Sequence, residues 1–329
     1  MARRSVWSDP RVIEIARGFV PAADEVGRLQ RGQDAECLLF QTIAEQGHYA
    51  GRTQPTNTRQ GIYAAAPSGV LLGSINTRDA GAVARMLAQA LEGWEDLAPE
   101  ERRMTADARA AVKRLEDRYP EDGLVLRVFA RDLARGPKDQ PKDWRSRAWN
   151  QDYAWFRKEE ARAFLPLEPE RGSERDLPPL LADRIVRLHL VDDVRGQTRA
   201  LPSEAVERAR ITSKVVRRKG DLVELDLAGE ARLSWQGRWP VDGWNDRDEP
   251  AQQSRGFEGK LLGRATYDLA AERFTAFELV ATGTRWGGTQ YNGRADDLEP
   301  APIGFALVLA GRSPAERVAP AQLWSYGWN

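Results

Sequence analysis

The chain has 329 residues, 41% hydrophobic and 30% charged, with Lys+Arg and Asp+Glu balanced at 49 each. This length favours two domains over one, no segment reaches the roughly 18 apolar residues that span a bilayer, and zero net charge gives no field toward phosphate backbones or anionic lipid. Neither nucleic acid nor a membrane is expected as a partner, and a single cysteine, Cys37, excludes an internal disulfide, a CxxC pair and a cysteine-rich zinc site.

From the amino terminus, Met1 to Trp7 carries basic residues but meets Asp9 and Pro10 where a signal peptide needs an apolar run. The expected location is the cytoplasm, or outside it if a leader was removed. Ser8, Asp9 and Pro10 ahead of Val12, Ile13 and Ile15 read as a helix start with a capping hydroxyl and proline in the first turn. A short strand is predicted over 19–26. Cys37, Leu39, Phe40, Ile43 and Ala44 give an amphipathic helix over 34–46. Residues 61–72 read as strand, Pro-Ser-Gly turn and strand. Val83, Met86, Leu87, Ala90, Leu91 and Trp94 recur at steps of three and four and predict a helix.

The run from Gln60 to Trp94 resembles the closing β-hairpin and last helix of thioredoxin-like proteins, and Trp7 to Val20 resembles the helix and strand that follow the redox site in that superfamily. The resemblance spans about residues 7 to 97 and implies a thioredoxin-like α/β scaffold. It departs where redox function would lie: only six residues precede Trp7, and Arg59, Gln60 and Gly61 stand where the family places a cis-proline ahead of the hairpin strand. The reading is a redox-inactive domain over 1–100.

A second helix follows, with Met104, Ala108, Ala111, Leu115 and Tyr119 on one face. A strand is then marked by Leu124, Leu126, Val128 and Ala130, and a polar, proline-interrupted crossing runs over 135–147, where the domain boundary is expected. With the aromatic cluster Trp144, Trp149, Tyr153, Trp155 and Phe156, this makes 101–178 a Trp-rich connecting region. Pro179 to Val191 predicts a helix. Beyond it the period changes from 3.6 to 2, and strands 207–218, 222–235, 256–268 and 273–286 form an antiparallel meander with 302–310 as a fifth. Gly229, Gly259, Gly263 and Gly283 within them suggest bulges or curvature. The fold class is α+β: a degenerate thioredoxin-like domain, then a mostly antiparallel curled sheet or partial barrel over 179–329.

Cys37 on an apolar helical stripe reads as a structural thiol, since a reactive one needs exposure and a nearby positive charge. His48 follows a helix end, where the dipole favours an imidazolium. His189 is followed by Asp192 and Asp193 at three and four residues, so either carboxylate is placed to orient its ring for general-base work if the helix continues. With His48 it offers a two-imidazole metal site, although helix-end histidines beside aspartates usually form local salt links. Asp296, Asp297 and Glu299 give oxygen ligands on a glycine-rich loop without EF-hand spacing. Eleven tryptophans are the strong compositional anomaly, read either as packing or as an aromatic-lined groove. The preferred function is a non-redox binding or accessory protein with a Trp-lined site at Trp286, Gln290, Tyr291, Asn292, Arg294 and Trp324, taking a small molecule or a protein partner. The alternative is an enzyme with a His189/Asp193 centre, or a metal held by His48 and His189, between the domains. The sequence names no cofactor.

Overall fold

The computed structural model describes residues 6–22, 26–49, 59–104, 118–136, 148–241, 250–313 and 316–328. The chain is mixed α and β and divides into two compact units, Met1–Asp117 and Arg118–Asn329. The helix predicted beyond Met104, the 137–147 part of the polar crossing, Trp144 and Trp244 lie outside the described residues.

In the first unit, helix α1 (Pro10–Ala16) is capped by Asp9, whose side chain accepts the Arg11 N–H at 2.9 Å, so the cap is this carboxylate instead of the Ser8 hydroxyl. The strand expected over 19–26 is absent from its described residues: 19–22 are irregular and Val26 opens a one-turn helix, α2 (Val26–Leu29). Asp34 and Asp79 cap α3 (Ala35–Gln46) and α4 (Ala80–Asp96) through the N–H groups of Cys37 and Ala82. Between them β1 (Ile62–Ala65) and β2 (Leu71–Ile75) form an antiparallel hairpin. Its turn uses Gly69 at φ +93°, a conformation favouring glycine. Val83, Met86, Leu87 and Ala90 of α4 join Val6, Val12 and Ala64 in one small core.

The second unit is built on one eight-stranded antiparallel sheet. Its strands are β3 (Leu124–Asp132), β4 (Trp149–Phe156), β5 (Glu174–Asp176), β6 (Val206–Lys219), β7 (Leu222–Arg238), β8 (Gln252–Asp268), β9 (Arg273–Trp286) and β10 (Ala301–Leu309), in the order β4-β3-β10-β9-β8-β7-β6-β5. The expected five-strand meander is present as β6 to β10. β3 and β4, assigned from sequence to a connecting region, pair with β10 and with each other, so the division falls at Asp117/Arg118 and not near 135–147 or 178. α5 (Lys158–Arg162) and α6 (Pro179–His189) complete the regular elements.

Helix α6 touches both β6 and β4. Six strand spacings separate those two in the sheet, about 29 Å if it were flat, against a helix diameter of roughly 10 Å. The sheet therefore curls around α6. Leu181, Ile185 and Val186 meet Leu225, Leu227, Leu261, Phe277, Ile303 and Leu307 in the main core. The strand glycines pair in register, and the irregularities fall at Val206/Arg208, Val215/Arg217 and Thr266/Tyr267. What these glycines permit is close approach: Gly259 and Gly283 are cross-strand partners, and a Cβ on Gly283 would stand 2.0 Å from the Glu258 carbonyl oxygen.

The segment 320–328, with a short 3-10 turn at Leu323–Tyr326, runs along β4, the edge of the sheet. Ala321 donates its N–H to Asp152 at 3.0 Å, and the Tyr326 hydroxyl receives the Trp155 N–H at 3.4 Å.

Candidate functional site

At the end of the sheet where β8 begins and β9 ends, a cleft of about 470 Å³, counting its open mouth, lies against the segment leaving α6. Leu190, Leu201, Leu233, Phe257 and Phe305 make its apolar wall, and Arg255 its most conspicuous polar one. Trp286 and Asn292 border it too, whereas Gln290, Tyr291, Arg294 and Trp324 do not. Tyr291 and Trp324 are mostly exposed. A Cβ at Gly256 would sit 2.2 Å from the Trp286 ring, so only glycine lets the indole lie there, and its Nε1–H reaches Ser254 Oγ at 3.3 Å. Trp239 donates to the Gly288 carbonyl at 2.8 Å. Trp155 and Trp328 are core residues. Packing thus accounts for Trp155 and Trp328, while Trp239 and Trp286 are half-buried and Trp7, Trp149 and Trp324 are exposed.

The loop following β9 is fixed from within. Gly287, at φ +76°, donates to the Leu298 carbonyl at 2.7 Å, and Asn292 Oδ1 accepts the Thr289 N–H at 2.9 Å. Beneath it Arg294 is fully buried, and all five of its N–H donors are taken. Nε and Nη2 reach Asp192 at 2.9 and 2.6 Å, Nη1 and Nη2 reach Asp132 at 3.0 and 2.6 Å, and Nη1 reaches Asp297 at 3.2 Å. Arg195 bridges Asp132 and Asp297, both at 2.9 Å. Arg285 binds Asp297 at 2.5 Å, and Arg135 pairs with the same carboxylate. Burial raises the pKa values of Asp132 and Asp297, but hydrogen bonds from Arg294 and Arg135 and the charges of the surrounding arginines outweigh it and hold both below the usual carboxylate range. Asp297, which the sequence offers only as an oxygen ligand without EF-hand spacing, serves four guanidinium groups.

Helix α6 ends at His189, so Asp192 and Asp193 lie beyond it and the helical i+3/i+4 spacing does not apply. The His189 ring meets Tyr326 instead, Nε2 to hydroxyl at 2.6 Å, while Nδ1 is buried without a partner. Burial first, then the nearby Arg184 charge, pushes its pKa down to about 3. Asp193 receives the Asn150 amide at 2.6 Å and is pushed up to about 7 by burial and by the charges of Asp152 and Asp192. Arg184 is bound to Glu160 at 2.6 and 2.9 Å and lies 4.5 Å from the Tyr326 ring centroid.

In the first unit His48 binds Ser74 Oγ through Nδ1 at 2.8 Å and stacks on Tyr63. His48 and His189 therefore belong to different units, each with its own partner. Cys37 is buried, and its thiol points to Asp34 at 3.1 Å. Burial pushes the thiol up to about 11. Among the described residues no three or more His, Cys, Asp or Glu side chains are grouped to hold a metal ion, and no helix is long and apolar enough to cross a membrane.

Sequence reasoning missed Arg255 and Arg285. Their signal is a cation on the inward phase of an apolar strand: Arg255 is in step with Phe257 and Leu261, and Arg285 with Ala281 and Leu279. Asp132 and Arg195, distant in the chain, gave no such signal.

No family model, no curated protein and no solved structure matches this chain. The fold and site describe a mixed α and β protein whose larger unit is an antiparallel sheet curled on a helix, with an arginine-bordered cleft at one end.

Proposed function

We propose that the protein is a redox-inactive binding or accessory protein in which a thioredoxin-like first unit acts as scaffold and the second unit binds a small molecule in the cleft at the β8/β9 end. The observation that carries the binding reading is a concave, mainly apolar wall joined to the Arg255 guanidinium, beside a loop fixed by buried ion pairs, the usual composition of a ligand site. The scaffold reading is supported by the β1–β2 hairpin with α4 against it, the part of the thioredoxin-like pattern that runs from Gln60 to Trp94. The redox-inactive reading is supported by the single cysteine, which leaves no partner in the chain for a disulfide, and by burial that pushes its thiol up to about 11.

Thermal melts of the full chain against a panel of small molecules of varied charge test the site. At least one is expected to raise the melting temperature saturably, and Leu201→Trp, which puts an indole into the cleft, to remove that effect. A panel without effect, or an effect unchanged in the variant, removes the cleft from consideration. An insulin-reduction assay with thioredoxin reductase is expected to show no turnover, and turnover by the monomer would overturn the non-redox part.

A second reading, an enzyme using Asp193 without the His189 partnership, is favoured by the carboxyl pushed up to about 7, within the range of a general acid or base. Its mark would be an activity lost in Asp193→Asn.

A further inference from the structure

The charges around the cleft do not balance. Four arginines border it, of which Arg187 is paired with Asp183 at 3.3 Å and Arg285 with Asp297 at 2.5 Å. Arg199 and Arg255 have no carboxylate at ion-pair distance among the described residues. Asp192, the sole carboxylate among the lining residues, is held by two donors of Arg294. Arg199 is exposed and water can screen it, but Arg255 is half-buried.

Counting donors on Arg255 shows what is left. Nη1 reaches Thr198 Oγ1 at 2.9 Å and the Arg199 carbonyl at 3.0 Å, and Nη2 reaches the Ala200 carbonyl at 3.4 Å. Three of the five N–H groups are used. The Nε–H and one Nη2–H remain without a protein acceptor, and the Nε/Nη2 edge of a guanidinium is the fork that spans two carboxylate oxygens. Three neutral acceptors in 198–200 fix the guanidinium and leave that edge open. Nearby, the Nε of buried Arg285 also has no acceptor. Burial draws the Arg255 pKa down to about 10, so the group is still a cation at neutral pH, in a place where a cation is stabilised by a counter-ion.

We infer that the cleft takes a small organic monocarboxylate, its two oxygens on the Nε/Nη2 edge of Arg255 and its apolar body against Leu233, Phe257 and Phe305. This rests on the reading of the cleft as the ligand site and adds the class of ligand. One open fork matches one carboxylate. A polyanion such as a nucleotide phosphate would set further charge beside Asp192 and against the apolar wall, where little compensates it.

Calorimetric titration of the full chain with benzoate, benzyl alcohol and inorganic phosphate tests the inference. Benzoate is expected to bind saturably at millimolar concentration or below, with the alcohol and phosphate each at least about tenfold weaker, the usual effect of losing a charged hydrogen bond or an apolar contact. Arg255→Lys, which keeps the charge and loses the fork, is expected to weaken benzoate about tenfold. Benzyl alcohol binding as tightly as benzoate would overturn the anion class and leave the cleft as a site. Phosphate binding more tightly than benzoate would overturn the apolar body. Absence of saturable binding by all three would overturn both the inference and the site. Should the lysine variant fail to fold, the three titrations on the unaltered chain still decide.

Discussion

The outer face of the sheet and the buried end of the same sheet use the same arginine–carboxylate chemistry to opposite effect. On the outer face Arg232 reaches Glu207 and Glu258 at 2.5 and 2.6 Å, Arg208 reaches Glu230 at 3.3 Å and Lys214 reaches Glu174 at 2.6 Å, all with exposed side chains. Such pairs contribute about 0–1 kcal/mol each, because water screens both partners. At the buried end Arg294 has no exposed surface, and Asp132, Asp192 and Asp297 are each less than a fifth exposed. There the net contribution of the pairs is small against a well-packed apolar alternative, yet losing one partner strands a charge. Pairing on the outer face decorates a sheet that alternation already specifies; pairing at the buried end fixes the loop that borders the cleft.

The largest test of this contrast is Arg294→Met, which leaves Asp132 and Asp192 without their main donors. Urea unfolding is expected to show a loss of about 3–5 kcal/mol. A loss below about 1 kcal/mol would put the buried lattice on the same footing as the surface pairs.

Acidity sharpens the contrast. Asp132 and Asp297 have lowered pKa values, so their stabilisation is present above the unfolded carboxylate range and is lost as pH falls through their folded values. His189, lowered from 6.5 to about 3, contributes stability that is full above 6.5 and falls below it, because the unfolded imidazole takes up the proton first. Asp193, raised from 3.8 to about 7, works the other way: its contribution is full below 3.8 and is lost as pH rises toward 7. Between about pH 4 and 6.5 these two slopes oppose each other and the unaltered chain is expected to change little. Asp193→Asn removes one of them, and stability should then climb with pH across that window by roughly 1.4 kcal/mol per unit. A variant as flat as the parent in denaturant titrations would show that neither group is shifted in this way.

The smallest expected effect is on the outer face. Arg232→Ala should change stability by about 1 kcal/mol or less, and that difference should shrink further in high salt. A loss of several kcal/mol would mean the surface network behaves as a buried one.

The meander was legible because period-2 alternation is a local property: Val223, Leu225, Leu227 and Leu233 face one way whatever else the chain does. β3 and β4 carried the same alternation, yet their partner β10 begins at Ala301, and no local pattern says that the sheet continues there. The site divides in the same way. Trp286 and Asn292 were legible as residents of a glycine-rich loop. Arg294 was legible only as polar, because what buries it comes from Asp132 and Asp192, 162 and 102 residues away. The pairing of His189 with an aspartate failed through one assumption, that α6 continues past His189; its partner Tyr326 is 137 residues distant. The hairpin and α4 of the first unit were readable for the reason the meander was, each being a local pattern closed by a short turn.

The segment lying along β4 has a consequence for solubility. A sheet of eight strands that does not close has two borders, and the β5 side is only three residues long. β4 is eight residues long and carries Trp149, 57% exposed, near its start. Unpaired amides on such a border invite a strand from a neighbouring molecule. With Asp152 occupied by the Ala321 N–H and the Trp155 amide turned to the Tyr326 hydroxyl, the chain shields part of that border with its own backbone and a phenol. Residues 320–328 thereby take up two groups of the β4 border that a neighbouring strand would otherwise meet, independently of whatever the cleft binds.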